Sequence, residues 1–189
     1  KSFVREPYER DRFQEKIETA FERSSATIFV REFAKSPVME LEVRIAWHEQ
    51  FSTAKLCFSL PKEMTNRTDA VPGGVLRRPR DGREYPIGGW VQAATENGKS
   101  LAVVSPDCFA CDFRDNDLRL TLLRSAPFAW HDPTELTPGY PYMFTDQGEH
   151  TFRFTVMKNA DLDTLTARAR FCHMPPRVFD WTRGMNSAD

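Results

Sequence analysis

The 189-residue sequence predicts a mainly β fold: antiparallel sheets stacked in layers, with one short helix near the C-terminus. Three observations predict it. Successive segments between Tyr85 and Lys158 alternate side-chain character with the period of two that a strand imposes. Val38 to Trp47 alternates over its whole length. Asp161 to His173 switches to apolar spacings of three and four, the period of a helix. A strand with one apolar side is stable only when that side meets another layer, so the alternating segments require a layered β structure.

Residues 1–24 form a lead-in segment. Phe13, Ile17 and Phe21 recur at four-residue spacing there, which fits a short helical stripe. An irregular approach to a first strand over Ala26 to Phe33 fits equally well. In the strand Val38 to Trp47, Met39, Leu41, Val43, Ile45 and Trp47 point one way; Glu40, Glu42, Arg44 and His48 point the other. Such a strand buries one face and leaves the other wet or functional. Lys55 to Leu60 follows, with Leu56, Phe58 and Leu60 alternating against Cys57 and Ser59, until Pro61 ends it. Residues 61–89 read as a long polar loop, punctuated by Pro72-Gly-Gly, by four arginines between Arg77 and Arg83, and by Gly88-Gly89. Asn66-Arg-Thr68 within it matches a glycosylation acceptor pattern, which has meaning only in a secreted protein.

The central strands come next. Phe109, Cys111 and Phe113 share a face. Leu118, Leu120 and Leu122 lie opposite Arg119, Thr121 and Leu123; Phe152, Phe154 and Val156 lie opposite Arg153 and Thr155. A Pro- and aromatic-rich connection, Ser125 to Gln147, joins the last two. In the helix, Leu162, Leu165, Ala169 and Cys172 form the apolar stripe, Asp161 or Asp163 is the N-cap, and Met174-Pro-Pro176 is the stop. Arg177 to Trp181 reads as a short last strand, so the β domain runs over 25–182 and the tail over 183–189.

Composition narrows the function classes. About 40% of residues are apolar and 15 are Phe, which supplies a sizeable core and argues against disorder. A formal net charge of −1 offers neither a nucleic-acid surface nor a membrane surface. No apolar run approaches the roughly 18 residues of a membrane span. The first residue is Lys and the first residues are polar and charged, without the pattern of a signal peptide. We therefore expect a portion of a longer polypeptide, or one trimmed at its start.

Cys108-Phe-Ala-Cys111 has the spacing of zinc ligands, which Cys172 and His173 could complete. Residues three apart on a strand face opposite ways, however. The expectation is that Cys111 joins the core, that Cys108 faces the other way, and that no metal binds. Glu42, Glu49, Asp107, Asp112, Asp132, Glu135 and Glu149 are acid–base candidates by type alone. His131-Asp132 and Glu149-His150 place an imidazole beside a carboxylate in sequence. No serine stands in a nucleophile elbow, and no Gly-rich phosphate loop is present. Of the four tryptophans, Trp130 in the Pro-rich connection is the best candidate for an exposed platform; Trp90, Trp130 and His131 are the candidate sugar contacts.

These residues carry a resemblance. Arg44-Ile-Ala-Trp47-His48-Glu49 followed by Lys55-Leu-Cys-Phe58 is similar to a segment of the family 38 glycoside hydrolases, the α-mannosidases. Val75-Leu-Arg-Arg-Pro79, Trp90-Val, Leu101-Ala-Val-Val, Cys111-Asp-Phe, Leu118 to Ser125, and Asp146-Gln-Gly-Glu-His150-x-Phe-x-Phe then follow in the family's order, across roughly residues 25 to 180. The resemblance implies the C-terminal β domain of these enzymes, an antiparallel supersandwich similar to galactose mutarotase. It implies that the nucleophile and a zinc ion belong to a separate N-terminal catalytic barrel, so no catalytic residue and no metal ligand is expected in this chain, which alone would be inactive. The implied partners are that barrel and a mannoside, with no nucleic acid and no membrane. Gly88-Gly89 and Ser105-Pro-Asp107 depart from the family pattern. The alternative expectation is a free-standing sugar-binding or mutarotase-like epimerase module, recognisable by a His and a carboxylate beside an aromatic wall.

Overall fold

A computed structural model gives the architecture. It describes residues 2–7, 21, 23–34, 36–128, 136–137 and 139–175. The strands are β1 (Ser2–Pro7), β2 (Ser25–Glu32), β3 (Val38–Trp47), β4 (Ser52–Ser59), β5 (Asn66–Val71) and β6 (Gly74–Arg77), then β7 (Tyr85–Pro86), β8 (Trp90–Ala94), β9 (Ser100–Val104), β10 (Ala110–Arg114), β11 (Asp117–Arg124) and β12 (Gly148–Lys158). Among the described residues one helix, α1 (Leu162–His173), follows them.

The strands form two antiparallel sheets, a five-stranded one in the order β1-β4-β11-β10-β7 and a seven-stranded one in the order β2-β3-β12-β9-β8-β5-β6. One apolar cluster joins their inner faces. Leu41, Val43, Ile45 and Trp47 of β3, with Phe152, Phe154 and Val156 of β12, meet Leu56, Cys111, Phe113, Leu118 and Leu120 of the other sheet. Burying about a dozen such side chains, each worth roughly 1.5–3 kcal/mol, drives the sheets together. The indole of Trp47 donates to Ser125 Oγ at 2.5 Å, and Gln147 Nε2 donates to the same oxygen at 3.1 Å. The Pro-rich connection is thereby pinned to the core.

A second cluster lies on the outer face of the seven-stranded sheet. Leu165 and Ala169 of α1 cover Ala70, Trp90, Ala102, Val104 and Met157. Asp161 caps the helix by accepting from the Thr164 N–H at 2.7 Å. Gly89, with φ +104, fits beneath the helix, and the Gly88 N–H donates to Ala70 O of β5 at 2.7 Å.

Four details differ from the sequence reading. The lead-in contributes β1, paired with β4 in register Ser2 to Cys57; Phe13 and Ile17 lie outside the described residues, as does Arg177 to Trp181. The polar loop 61–89 carries the β5–β6 hairpin and β7, because the inward-facing residues of β5 are a charged pair and not apolar. In β11 a bulge inserts Leu122 between Thr121 and Leu123, so Leu123 joins Leu118 and Leu120 in the core. Cys108 precedes β10 and so escapes its alternation: it is buried in the same cluster as Cys111, whereas Phe109 is exposed.

Candidate functional site

Three places gather polar or exposed chemistry. The first is a groove of about 670 Å³ on the outer face of the seven-stranded sheet, beside α1. Its floor is the polar face of β3 extended across both neighbours. Register places Arg31 of β2, Glu40 of β3 and Thr155 of β12 in one cross-strand row, and Phe29, Glu42 and Arg153 in the next. Glu40 accepts from Arg31 at 3.4 Å and from Arg168 of α1 at 2.9 Å. Arg168 also reaches the Thr155 hydroxyl at 3.2 Å. Glu42 accepts from Arg44 Nε at 2.7 Å and faces Arg153 Nε at 3.7 Å. The Arg44 guanidinium lies 4.8 Å from the Phe29 ring centre and that of Arg168 lies 5.6 Å from Phe171. Both rings are half exposed.

Glu40 and Glu42 stand two residues apart on one strand, so their backbones are about 7 Å apart. The carboxylates of a glycosidase pair must flank a bond from two sides. These two share one wall, and both are engaged by guanidiniums. Among the described residues no imidazole lines the groove.

The second place is a set of ionic contacts inside the fold. Arg67 of β5 grips Asp69 with Nε and Nη2 at 2.8 and 2.7 Å, and Nη2 also reaches Cys111 O at 3.2 Å and Sγ at 2.9 Å in the opposite sheet. Arg67 and Arg78 both lie over Tyr85, at 5.4 and 4.7 Å. Elsewhere, Asp112 is held by Lys55 and by Arg119, the latter at 2.5 Å. Lys55 also meets Glu84 at 3.0 Å, and Thr121 donates to Glu84. Burial raises the Glu84 carboxyl, but the Thr121 hydroxyl and the Lys55 charge outweigh it and hold the group below its ordinary value. These side chains are committed to each other and tie strands together.

The third place is an aromatic end. Phe51 and Phe144 meet edge to face at 4.8 Å, Tyr140 and Tyr142 lie tilted to each other at 4.8 Å, and the Phe128 N–H donates to Met143 O at 2.8 Å. Phe51, Phe128, Tyr140 and Met143 are all exposed.

Of the candidate sugar contacts, Trp90 is 1% exposed and lies beneath α1, so a ligand cannot stack on its ring unless the helix lifts. Trp130 and His131 lie outside the described residues, as do Asp132 and Glu135. Glu49 accepts from the Arg23 N–H at 2.9 Å, Asp107 from the Arg153 N–H at 2.9 Å, and His150 Nε2 lies 3.0 Å from Asp146 O. Among the described residues no three His, Cys, Asp or Glu side chains converge as metal ligands would. The polar face of β3 was visible in the sequence; the contribution of Arg168 was not, because it arrives from a helix 128 positions away from Glu40.

A family model described as the glycosyl hydrolases family 38 C-terminal domain matches residues 4–133. A crystal structure of an α-mannosidase from Enterococcus faecalis V583 is similar, with a TM-score of 0.61 and 15% identity over 79% of this chain. A glycosyl hydrolase family 38 protein from Enterococcus faecalis is similar at TM-score 0.61 and 16% identity, again over 79% of the chain. At these identities the likeness is one of fold. The chain spans 18% of the length of each. No curated protein matches it.

Proposed function

Because the chain belongs to the C-terminal domain family of the family 38 glycosyl hydrolases, we propose that it is a non-catalytic β domain of an α-mannosidase-like retaining glycosidase. In this reading it packs against a catalytic barrel, helps wall the carbohydrate cleft, and leaves zinc and the nucleophile to that barrel. One observation supports it above others. Phe51, Phe128, Tyr140 and Met143 present an apolar, aromatic end to solvent. A patch of large apolar side chains gathered on one end marks a contact surface. The buried pairs Arg67–Asp69 and Arg119–Asp112 support the same reading, since they are taken up in bracing the fold.

The test has two arms. The chain alone should leave an aryl α-mannoside intact; hydrolysis would overturn the non-catalytic role. Mixed with a separately produced barrel of the same family enzyme, it should co-elute in size exclusion, and Phe128→Asp with Met143→Asp should abolish co-elution. Unchanged co-elution of that variant would exclude the aromatic end as the contact. A second reading, a sugar-binding module, is favoured by the groove beside α1, which combines half-exposed phenyl rings with charged donors.

A further inference from the structure

We propose that the groove beside α1 binds an anionic saccharide, with the acid group held by guanidiniums and the sugar ring flanked by Phe29 and Phe171. The charge of the lining is the first argument. Among the described lining residues, Arg31, Arg44, Arg153 and Arg168 stand against Glu40 and Glu42, a surplus of positive charge on the wall of a groove of about 670 Å³. Asp107, next to the lining residue Pro106, accepts from the Arg153 backbone N–H at 2.9 Å and keeps its charge, so four guanidiniums stand against three carboxylates.

The donors are the second argument. A guanidinium carries five N–H groups in a planar fork that fits a carboxylate, sulfate or phosphate bidentately. Arg31 contacts Glu40 through a single Nη1 at 3.4 Å. Arg153 stands 3.7 Å from Glu42, an ion-pair distance longer than a hydrogen bond. Both side chains are mostly exposed, so their remaining N–H groups are open to solvent and to an incoming acid. Glu40 and Glu42 fix the arginines and at the same time offer acceptors for sugar hydroxyls.

Shape and size are the third. Phe29 on the floor and Phe171 on the helix side give apolar flanks for the C–H face of a pyranose. The volume falls within the roughly 300–1,000 Å³ of small-ligand sites. A protein partner needs on the order of 1,000 Å² or more of buried surface, which a groove of this size does not supply by itself. A neutral sugar would leave the surplus charge unused.

The proposal does not depend on the packing role above; its failure would leave that role standing. It is tested by isothermal titration of the full chain at low ionic strength with four probes: glucose 6-phosphate, glucuronate, glucose and inorganic phosphate. The two acid sugars should bind, and glucose and phosphate should each bind about tenfold more weakly or less. Added salt should weaken the acid sugars, because exposed charges are screened. Arg31→Gln with Arg153→Gln should weaken the acid sugars about tenfold with an unchanged melting temperature, since exposed ion pairs contribute little to folding. Phe171→Ala should weaken the acid sugars and leave phosphate as it was. The proposal is overturned by no heat from either acid sugar at about 10 mM, by phosphate binding as well as they do, or by wild-type affinity in the double arginine variant.

Discussion

A methyl group at Gly89 would stand 2.9 Å from Nε2 of His173 and 3.4 Å from the Ala169 side chain. The turn into β8 and the last turn of α1 are thus fitted to each other. The missing side chain of Gly89 is what lets the helix lie so low, whereas Gly88 abuts the backbone of Val71 and Ala70. Gly89→Ala meets two obstacles, the crowding and a backbone at φ +104 that L side chains rarely adopt. It should lower unfolding free energy by about 1–3 kcal/mol in urea titration. His173→Ala in the same chain should recover the part due to crowding and leave the part due to φ. Full recovery would show the backbone unstrained.

Arg67 and Asp69 test a different kind of contact. The pair is fully buried at the junction of the sheets, and Arg67 also donates to Cys111 O across the sandwich. Removing Asp69 leaves Arg67 a buried charge without its carboxylate, and removing Arg67 leaves the buried Asp69 with only the longer contact to Arg78 at 3.7 Å. Asp69→Asn or Arg67→Met should each cost about 3–5 kcal/mol, read from the shift in denaturation midpoint. Replacing both by apolar residues of similar volume should cost much less than the sum, because the desolvation of two ions is relieved together. An additive double variant would mean the pair stabilises through packing alone.

Why was β5 invisible in the sequence while β3 was not? Leu41, Val43 and Ile45 bury hydrocarbon, and hydrocarbon at period two is a strand signal that needs no knowledge of neighbours. Arg67 and Asp69 have the same period, but their inward orientation depends on each other and on a carbonyl from the opposite sheet. The groove has the same character: Glu40, Glu42 and Arg44 were legible as one polar face, whereas Arg31, Arg153 and Arg168 join them only through cross-strand register and helix placement. The aromatic connection was legible by composition, and its exposure only in three dimensions.

The bulge in β11 gives that lesson a measurement. Strict alternation pairs Leu122 with Leu120; the structure moves Leu123 into the core in its place and leaves Leu122 only partly buried. Leu123→Ala should cost about 2–5 kcal/mol and Leu122→Ala clearly less, by thermal or urea melts. The reverse order would place Leu122 in the core and remove the bulge.

The thiol of Cys108 links the core to alkaline pH. It is 1% exposed and donates to Thr121 O at 3.2 Å and Ala110 O at 3.5 Å. Burial pushes it up from an ordinary 9 to about 12, against a smaller opposing contribution from the hydrogen bond to Ala110. Burial likewise raises Cys111. A thiol raised in the folded state contributes its full stability below pH 9, where neither state ionises it. As pH climbs toward 12, the unfolded chain loses the proton first, and stability falls by up to about 1.4 kcal/mol per pH unit for one thiol. Urea midpoints measured from pH 8 to pH 11 should therefore decline in the native sequence. In Cys108→Ala the curve should start lower, because a cavity opens in the core, yet decline more gently. Parallel curves would mean the thiol is not protected from ionisation, and a folded chain that reacts rapidly with a thiol reagent at Cys108 would say the same.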